Sequence, residues 1–173
     1  MKLYLMRHGE AEKIGGGISR DEDRRLTPVG EETSTLMGRA LARIDPTIGT
    51  ILTSPLVRAV QTGTLLGREF GAGPVQRISG YLAPGFRAKD FLGEVFALSP
   101  AQGVVAVGHE PDMSKLLGYL ITDDSRVSVG MSTTAVAGIE LAGTSSEYEA
   151  VLRWFLTPPV VRALFSQRSG GSP

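Results

Sequence analysis

His8 and His109 are the two histidines of the chain, and each closes a short apolar run that reads as a strand. Leu3-Tyr-Leu-Met6 leads into Arg7-His8-Gly9, and Gly103-Val-Val-Ala-Val-Gly108 leads into His109-Glu110-Pro111. A strand that stops at a polar residue beside glycine delivers that residue into a loop, and open α/β sheets bind ligands beyond the carboxyl ends of their strands. A third segment, Ser54-Pro-Leu-Val-Arg58-Ala59-Val-Gln61-Thr62, follows the strand-like run Ile48 to Thr53. Together the three offer two arginines and two histidines near helix N-termini. Guanidinium forks match phosphate oxygens in pairs, and helix N-terminal amides add donors for an anion. A histidine in line with a phosphoryl group can take it onto a ring nitrogen and surrender it to water. Arg7 and His8 are adjacent, so a regular strand would point them to opposite faces. Both reach one phosphate only if the strand ends there, and Gly9 permits the bend.

The elements that must position these residues alternate between strand and helix. Strands are expected at Lys2 to Met6, Ile48 to Thr53, Val75 to Ile78, Gly103 to Gly108, Thr134 to Leu141 and Ala150 to Leu156, the last two joined as a hairpin through Gly143-Thr-Ser-Ser146. The near-continuous apolarity of the first strand suits a parallel sheet covered on both faces. Thr27-Pro28 reads as an N-cap and first helical residue, with the helix running to Ile44 and Leu36, Met37, Ala40, Leu41 and Ile44 on its apolar face. Further helices are expected after Ser54-Pro55, over Lys89 to Leu98, from Pro111-Asp112 to Leu120, and after Pro158-Pro159. The pattern gives an α/β fold, a three-layer α/β/α sandwich with a mostly parallel central sheet. Residues 9 to 26 form a long polar loop with Gly15-Gly16-Gly17 and the charge cluster Arg20 to Arg25.

Composition narrows the function classes. At 173 residues, one domain over residues 1–168 with a flexible tail at 169–173 is expected. Lys plus Arg equals Asp plus Glu at 18 each, so no basic excess recommends nucleic acid or a membrane as partner. Without cysteine there is no thiol nucleophile and no thiolate-bound metal, which suits a reducing, cytoplasmic setting. Gly15-Gly16-Gly17 lacks the Lys-Ser or Lys-Thr of a nucleotide cradle, and His109-Glu110-Pro111 lacks the second histidine of a zinc helix. No metal or cofactor is implied.

The ordered set Arg7-His8-Gly9, Ser54-Pro55-x-x-Arg58-Ala59-x-Gln61-Thr62 and Gly108-His109 resembles the histidine phosphatase (phosphoglycerate mutase-like) superfamily. Leu26-Thr27-Pro28-x-Gly30, Gly108-His-Glu-Pro111 and Trp154-Phe-Leu-Thr-Pro158 resemble its phosphohistidine phosphatase (SixA-like) branch. The resemblance implies a phosphoglycerate mutase-like fold and a covalent phospho-His8 intermediate, with Arg7, Arg58 and His109 binding the transferring phosphoryl oxygens. Arg24 is added as a substrate-binding candidate from the loop, against the alternative of a solvated charge cluster. The implied substrate is a phosphohistidine-containing phosphoprotein of phosphotransfer or histidine kinase type, with inorganic phosphate as product. Where larger relatives carry an acidic proton donor, Gly80-Tyr-Leu-Ala-Pro-Gly-Phe-Arg87 has no carboxylate, which favours a phosphoramidate over an alkyl ester. Glu10, Asp21 and Glu110 remain carboxylates that the fold can bring in. The alternatives are a broad-specificity small-molecule phosphomonoesterase and a non-catalytic phosphate or phosphohistidine binding module. Ser54 reads as a helix cap, and Gln61 and Thr62 either support the site or pack the helix.

Overall fold

A computed structural model describes residues 1–71, 73–98, 102–124 and 126–166. The elements follow in the order β1 (Lys2–Arg7), α1 (Pro28–Ile44), β2 (Ile48–Thr53), α2 (Val57–Gly67), β3 (Val75–Ile78), α3 (Ala88–Phe96), β4 (Gly103–Gly108), α4 (Asp112–Thr122), β5 (Val136–Gly143), β6 (Tyr148–Leu156) and α5 (Pro158–Ser166). The expected tail at 169–173 lies outside the described residues.

The six strands form one mixed sheet in the order β3-β2-β4-β1-β5-β6. β3, β2, β4 and β1 run parallel, and β5 and β6 continue the sheet antiparallel. Strand alternation distributes β1 between two cores. Leu3 and Leu5 join Phe91, Leu92 and Val95 of α3 and Leu116, Leu117 and Leu120 of α4. Tyr4 and Met6 join Met37 and Leu41 of α1, Ala59 and Leu66 of α2, and Val161 of α5. The result is the expected three-layer sandwich, with the two halves of the site chemistry at the ends of central strands buried on both faces.

Boundaries depart from expectation where local periodicity is silent. The hairpin strands extend to Gly143 and Tyr148, because Thr144 N–H bonds Glu147 O at 2.8 Å and closes a tighter turn than the glycine-serine stretch suggested. Thr134 stands outside β5 at φ 58°, its N–H donating to Arg7 O. Ile44 is 45% exposed, whereas Thr33, Ser34 and Gly38 are buried, so the inner face of α1 is rotated toward small residues.

That rotation brings α1 close to the chain leaving β1. Thr27 caps the helix, its Oγ1 accepting from Gly30 N–H at 3.1 Å, and a Cβ on Gly30 would collide with the Glu10 carbonyl. Gly30→Ala should therefore lower stability by about 1–3 kcal/mol, since backbone rather than a flexible tip must yield. Gly93, exposed in α3 with open space around it, provides the contrast. Gly93→Ala should stabilise by about 0.5–1 kcal/mol, and urea unfolding midpoints of the two variants measure both.

Candidate active site

The site is assembled at the carboxyl ends of three neighbouring central strands. Arg7 is paired with Gly108 in the β1–β4 ladder, and His8 N–H donates to Gly108 O at 3.0 Å. The chain therefore leaves both strands at one level, and the rings of His8 and His109 lie 4.9 Å apart between centroids at 56°. Ser54 N–H donates to Val107 O at 3.0 Å, which brings the start of the β2–α2 connection alongside.

Hydrogen bonding assigns the tautomer of His8. His8 Nδ1 lies 2.6 Å from Gly9 O, and a carbonyl only accepts, so Nδ1 carries the proton and Nε2 presents its lone pair. Arg58 Nε–H donates to that lone pair at 3.1 Å. His109 Nε2 is 2.7 Å from Ser54 Oγ, which itself accepts from Leu56 N–H at 3.4 Å. A serine hydroxyl offers one proton and two acceptor sites, so this pair fits His109 with either ring nitrogen protonated, and Nδ1 is a donor where the hydroxyl proton points at Nε2. That Nδ1 is buried without a protein partner, and so is Arg7 Nε, while Arg7 Nη1 donates to Met131 O at 2.9 Å. The third buried side-chain atom without a partner among the described residues is Thr53 Oγ1, at the end of β2. Buried polar groups are nearly always paired, so the orphaned Arg7 Nε–H and the open His109 Nδ1 beside an imidazole lone pair suit an anion with several oxygens.

Comparison with known proteins gives the family and the fold. A model of the histidine phosphatase superfamily (branch 1) matches residues 3–80. An uncharacterized Picosynechococcus protein is 36% identical over 117 residues, covering 66% of this chain and 70% of the relative. The chain belongs to the histidine phosphatase superfamily. It is a phosphatase by that membership, and its fold matches solved members. The structure of the protein histidine phosphatase SixA complexed with tungstate superposes with a TM-score of 0.78 at 24% identity, covering 93% of this chain and 99% of that one. A protein from Agrobacterium tumefaciens assigned as the phosphohistidine phosphatase SixA gives 0.71 at 27% identity, covering 91% and 97%.

In this histidine phosphatase the loop between β1 and α1 folds back over the site. A 3-10 turn at Asp21–Asp23 sets Asp21 against Arg58, with Arg58 Nη2 2.9 Å from Asp21 Oδ2 and Arg58 Nη1 2.7 Å from Asp21 O. Arg24 is turned toward the loop: its guanidinium meets Asp21 Oδ1 at 2.9 Å and the carbonyls of Glu12 and Ala11. It reaches Arg58 through Asp21. Gln61 Oε1 accepts from Leu26 N–H at 2.9 Å, and Thr62 Oγ1 accepts from Gly9 N–H at 3.0 Å, so α2 pins both ends of the loop. Ser54 pairs with His109 and is not the expected helix cap: α2 starts at Val57 with Leu56 in the cap position and no side-chain cap bond. Sequence spacing held no signal for these cross-loop contacts.

The three candidate carboxylates are all engaged by protein groups. Glu10 accepts from the Thr27 hydroxyl at 2.9 Å, and Glu110 from the Ser114 hydroxyl at 2.5 Å. Arg24 first, then Arg58, hold the Asp21 carboxyl below the usual carboxylate range against the cost of its partial burial. Among the described residues no group of three or more His, Cys, Asp or Glu side chains is placed to hold a metal ion.

Burial, aided by His109, Arg58 and Arg7, pushes His8 down to about 3, although the Gly9 carbonyl opposes the shift. Burial and then Arg58 push His109 down to about 4. Both rings are neutral near pH 7. Their folded-state values lie below the unfolded value of 6.5, so their contribution to stability is complete above that pH and is lost as pH falls toward 4 and 3. At pH 5 each unfolded ring takes up a proton that the folded site refuses, costing about 2 kcal/mol per histidine. Urea unfolding across pH 7 to 4 should show this decline, and His8→Asn should flatten it relative to its own stability at pH 7.

Proposed function

We propose that the chain hydrolyses phosphohistidine on a protein through a covalent phospho-His8 intermediate. The lone pair of His8 Nε2 forms the N–P bond while the bond from phosphorus to the substrate imidazole breaks, its electron pair returning to that nitrogen. The departing ring leaves neutral because its other nitrogen is already protonated. The positive charge gained by His8 is met by the Gly9 carbonyl at Nδ1. Arg58 Nε–H, Arg7 Nε–H and His109 Nδ1–H receive the phosphoryl oxygens, stabilising charge where it spreads in the transition state. Water then attacks phosphorus, the P–Nε2 pair returns to His8, and the water proton leaves with inorganic phosphate. Arg24 is given a supporting place behind Asp21.

The observation that carries the phosphoramidate reading is the state of Asp21. It is the carboxylate bonded to the site arginine, and Arg24 and Arg58 keep it ionised, so it has no proton for an alkoxide leaving group. An imidazole does not need one. We read residues 1–168 as one phosphatase unit, and the cysteine-free composition suits work in the cytoplasm. Among the described residues no helix is long and apolar enough to cross a membrane.

Rapid quench with a radiolabelled phosphohistidine protein should yield an acid-labile phosphoenzyme from the native chain and none from His8→Ala. An equal yield after His8→Ala would refute the intermediate. Arg58→Ala should lower kcat/KM about 10²–10³-fold, as expected for loss of one preorganised donor. Turnover should favour phosphohistidine over unactivated alkyl phosphates, and comparable turnover of the two would favour the monoesterase reading.

A further inference from the structure

The loop after β1 supplies a residue that the reaction as written does not use. Arg58 is 5% exposed, and its two terminal nitrogens are held by a single residue. Asp21 takes Nη1 on its main-chain carbonyl at 2.7 Å and Nη2 on Oδ2 at 2.9 Å, which fixes the guanidinium plane. What remains directed at the site is Nε–H, 3.1 Å from His8 Nε2. Asp21 is in turn held from behind, its Oδ1 accepting from Arg24 Nη1 at 2.9 Å while Arg24 clamps the carbonyls of Glu12 and Ala11.

We propose that Asp21 is a positioning residue that aligns Arg58 for phosphoryl transfer, with Arg24 as its brace; this rests on the phospho-His8 reading. An arginine side chain has four torsions, and without a clasp its fork would turn toward an incoming anion and present Nη atoms in place of Nε. With the clasp, Nε–H caps the lone pair of free His8. When phosphorus takes that lone pair, Nε–H passes to a phosphoryl oxygen. Nη1 and Nη2 each carry a second N–H, so Asp21 need not let go. The arrangement has an electrostatic cost: a carboxylate on the anion-binding arginine opposes a phosphate dianion. Asp21 thus weakens ground-state binding while favouring the aligned transition state, and its removal shifts affinity and rate in opposite directions.

The test uses the full chain with phosphoramidate as phosphoryl donor and inorganic phosphate as binding probe. Asp21→Ala should slow phosphoenzyme formation about 10–100-fold, the scale of lost alignment, while tightening phosphate binding severalfold. Asp21→Asn, whose amide oxygen still accepts from Arg58, should slow transfer less and tighten phosphate equally. Arg24→Gln leaves the Asp21 charge in place and should slow transfer without tightening phosphate. The ¹⁵N resonance of His8 Nε2 in the free protein should move in Asp21→Ala as the Arg58 bond weakens. A native rate in Asp21→Ala overturns the proposal. So does faster transfer with tighter binding, which would make Asp21 a plug, and so does weaker binding with an unmoved His8 resonance, which would make it structural support only. If the native chain forms no phosphoenzyme, the catalytic reading fails instead, and the His8 resonance still decides whether Asp21 sets Arg58.

Discussion

The parallel ladder between β1 and β4 is the constraint on which the site depends. Leu3, Leu5 and Met6 on one strand and Val105, Ala106 and Val107 on the other are fully buried, on opposite faces of the sheet. A slip of one residue would send each set to the wrong core, exchanging side chains matched to α3 and α4 for those matched to α1 and α2. The hydrophobic cores therefore fix the register, and the register fixes the levels at which His8 and His109 leave the sheet. The placement of the two histidines is a by-product of a core that tolerates one alignment.

The same burial sets the electrostatics. In a poorly solvated site surrounded by Arg7 and Arg58, neither imidazole holds a proton near neutral pH. A neutral His8 keeps the lone pair that Arg58 Nε–H caps, and a neutral His109 pairs its Nε2 with the Ser54 hydroxyl. The arginines carry the positive charge that a phosphoryl group requires. The carboxylate of Asp21 answers it from the loop side, so the charge pattern is cation toward His8 Nε2 and anion behind.

Much of this was legible in the chain. Strand runs ending in Arg7-His8-Gly9 and Gly108-His109, and the Ser54 to Thr62 segment, carry the residue types that phosphate needs, and alternating periodicities gave the layered fold. Less visible was what the loop 9–26 does. Its charge cluster reads more readily as a solvated surface than as a pocket wall. Arg24 was expected at the substrate, yet its donors face Asp21, Glu12 and Ala11, because the loop closes on itself through the Ala11–Leu26 bridge and the turn at Asp21–Asp23. Thr62 and Gln61 likewise support the site through main-chain atoms of that loop, a relation with no sequence period.

The sequence by itself determined the chemical inventory, the order of strands and helices, and which strand ends carry the histidines, since these follow from local composition and from periodicities of about two and 3.6 residues. It took the folded chain to show that His8 points Nε2 at Arg58, that Ser54 pairs with Nε2 of His109, and that Asp21 stands behind Arg58. Those are contacts between residues 37 to 55 positions apart. Their directions depend on sheet register and loop closure, and such long-range geometry leaves no local pattern in the chain.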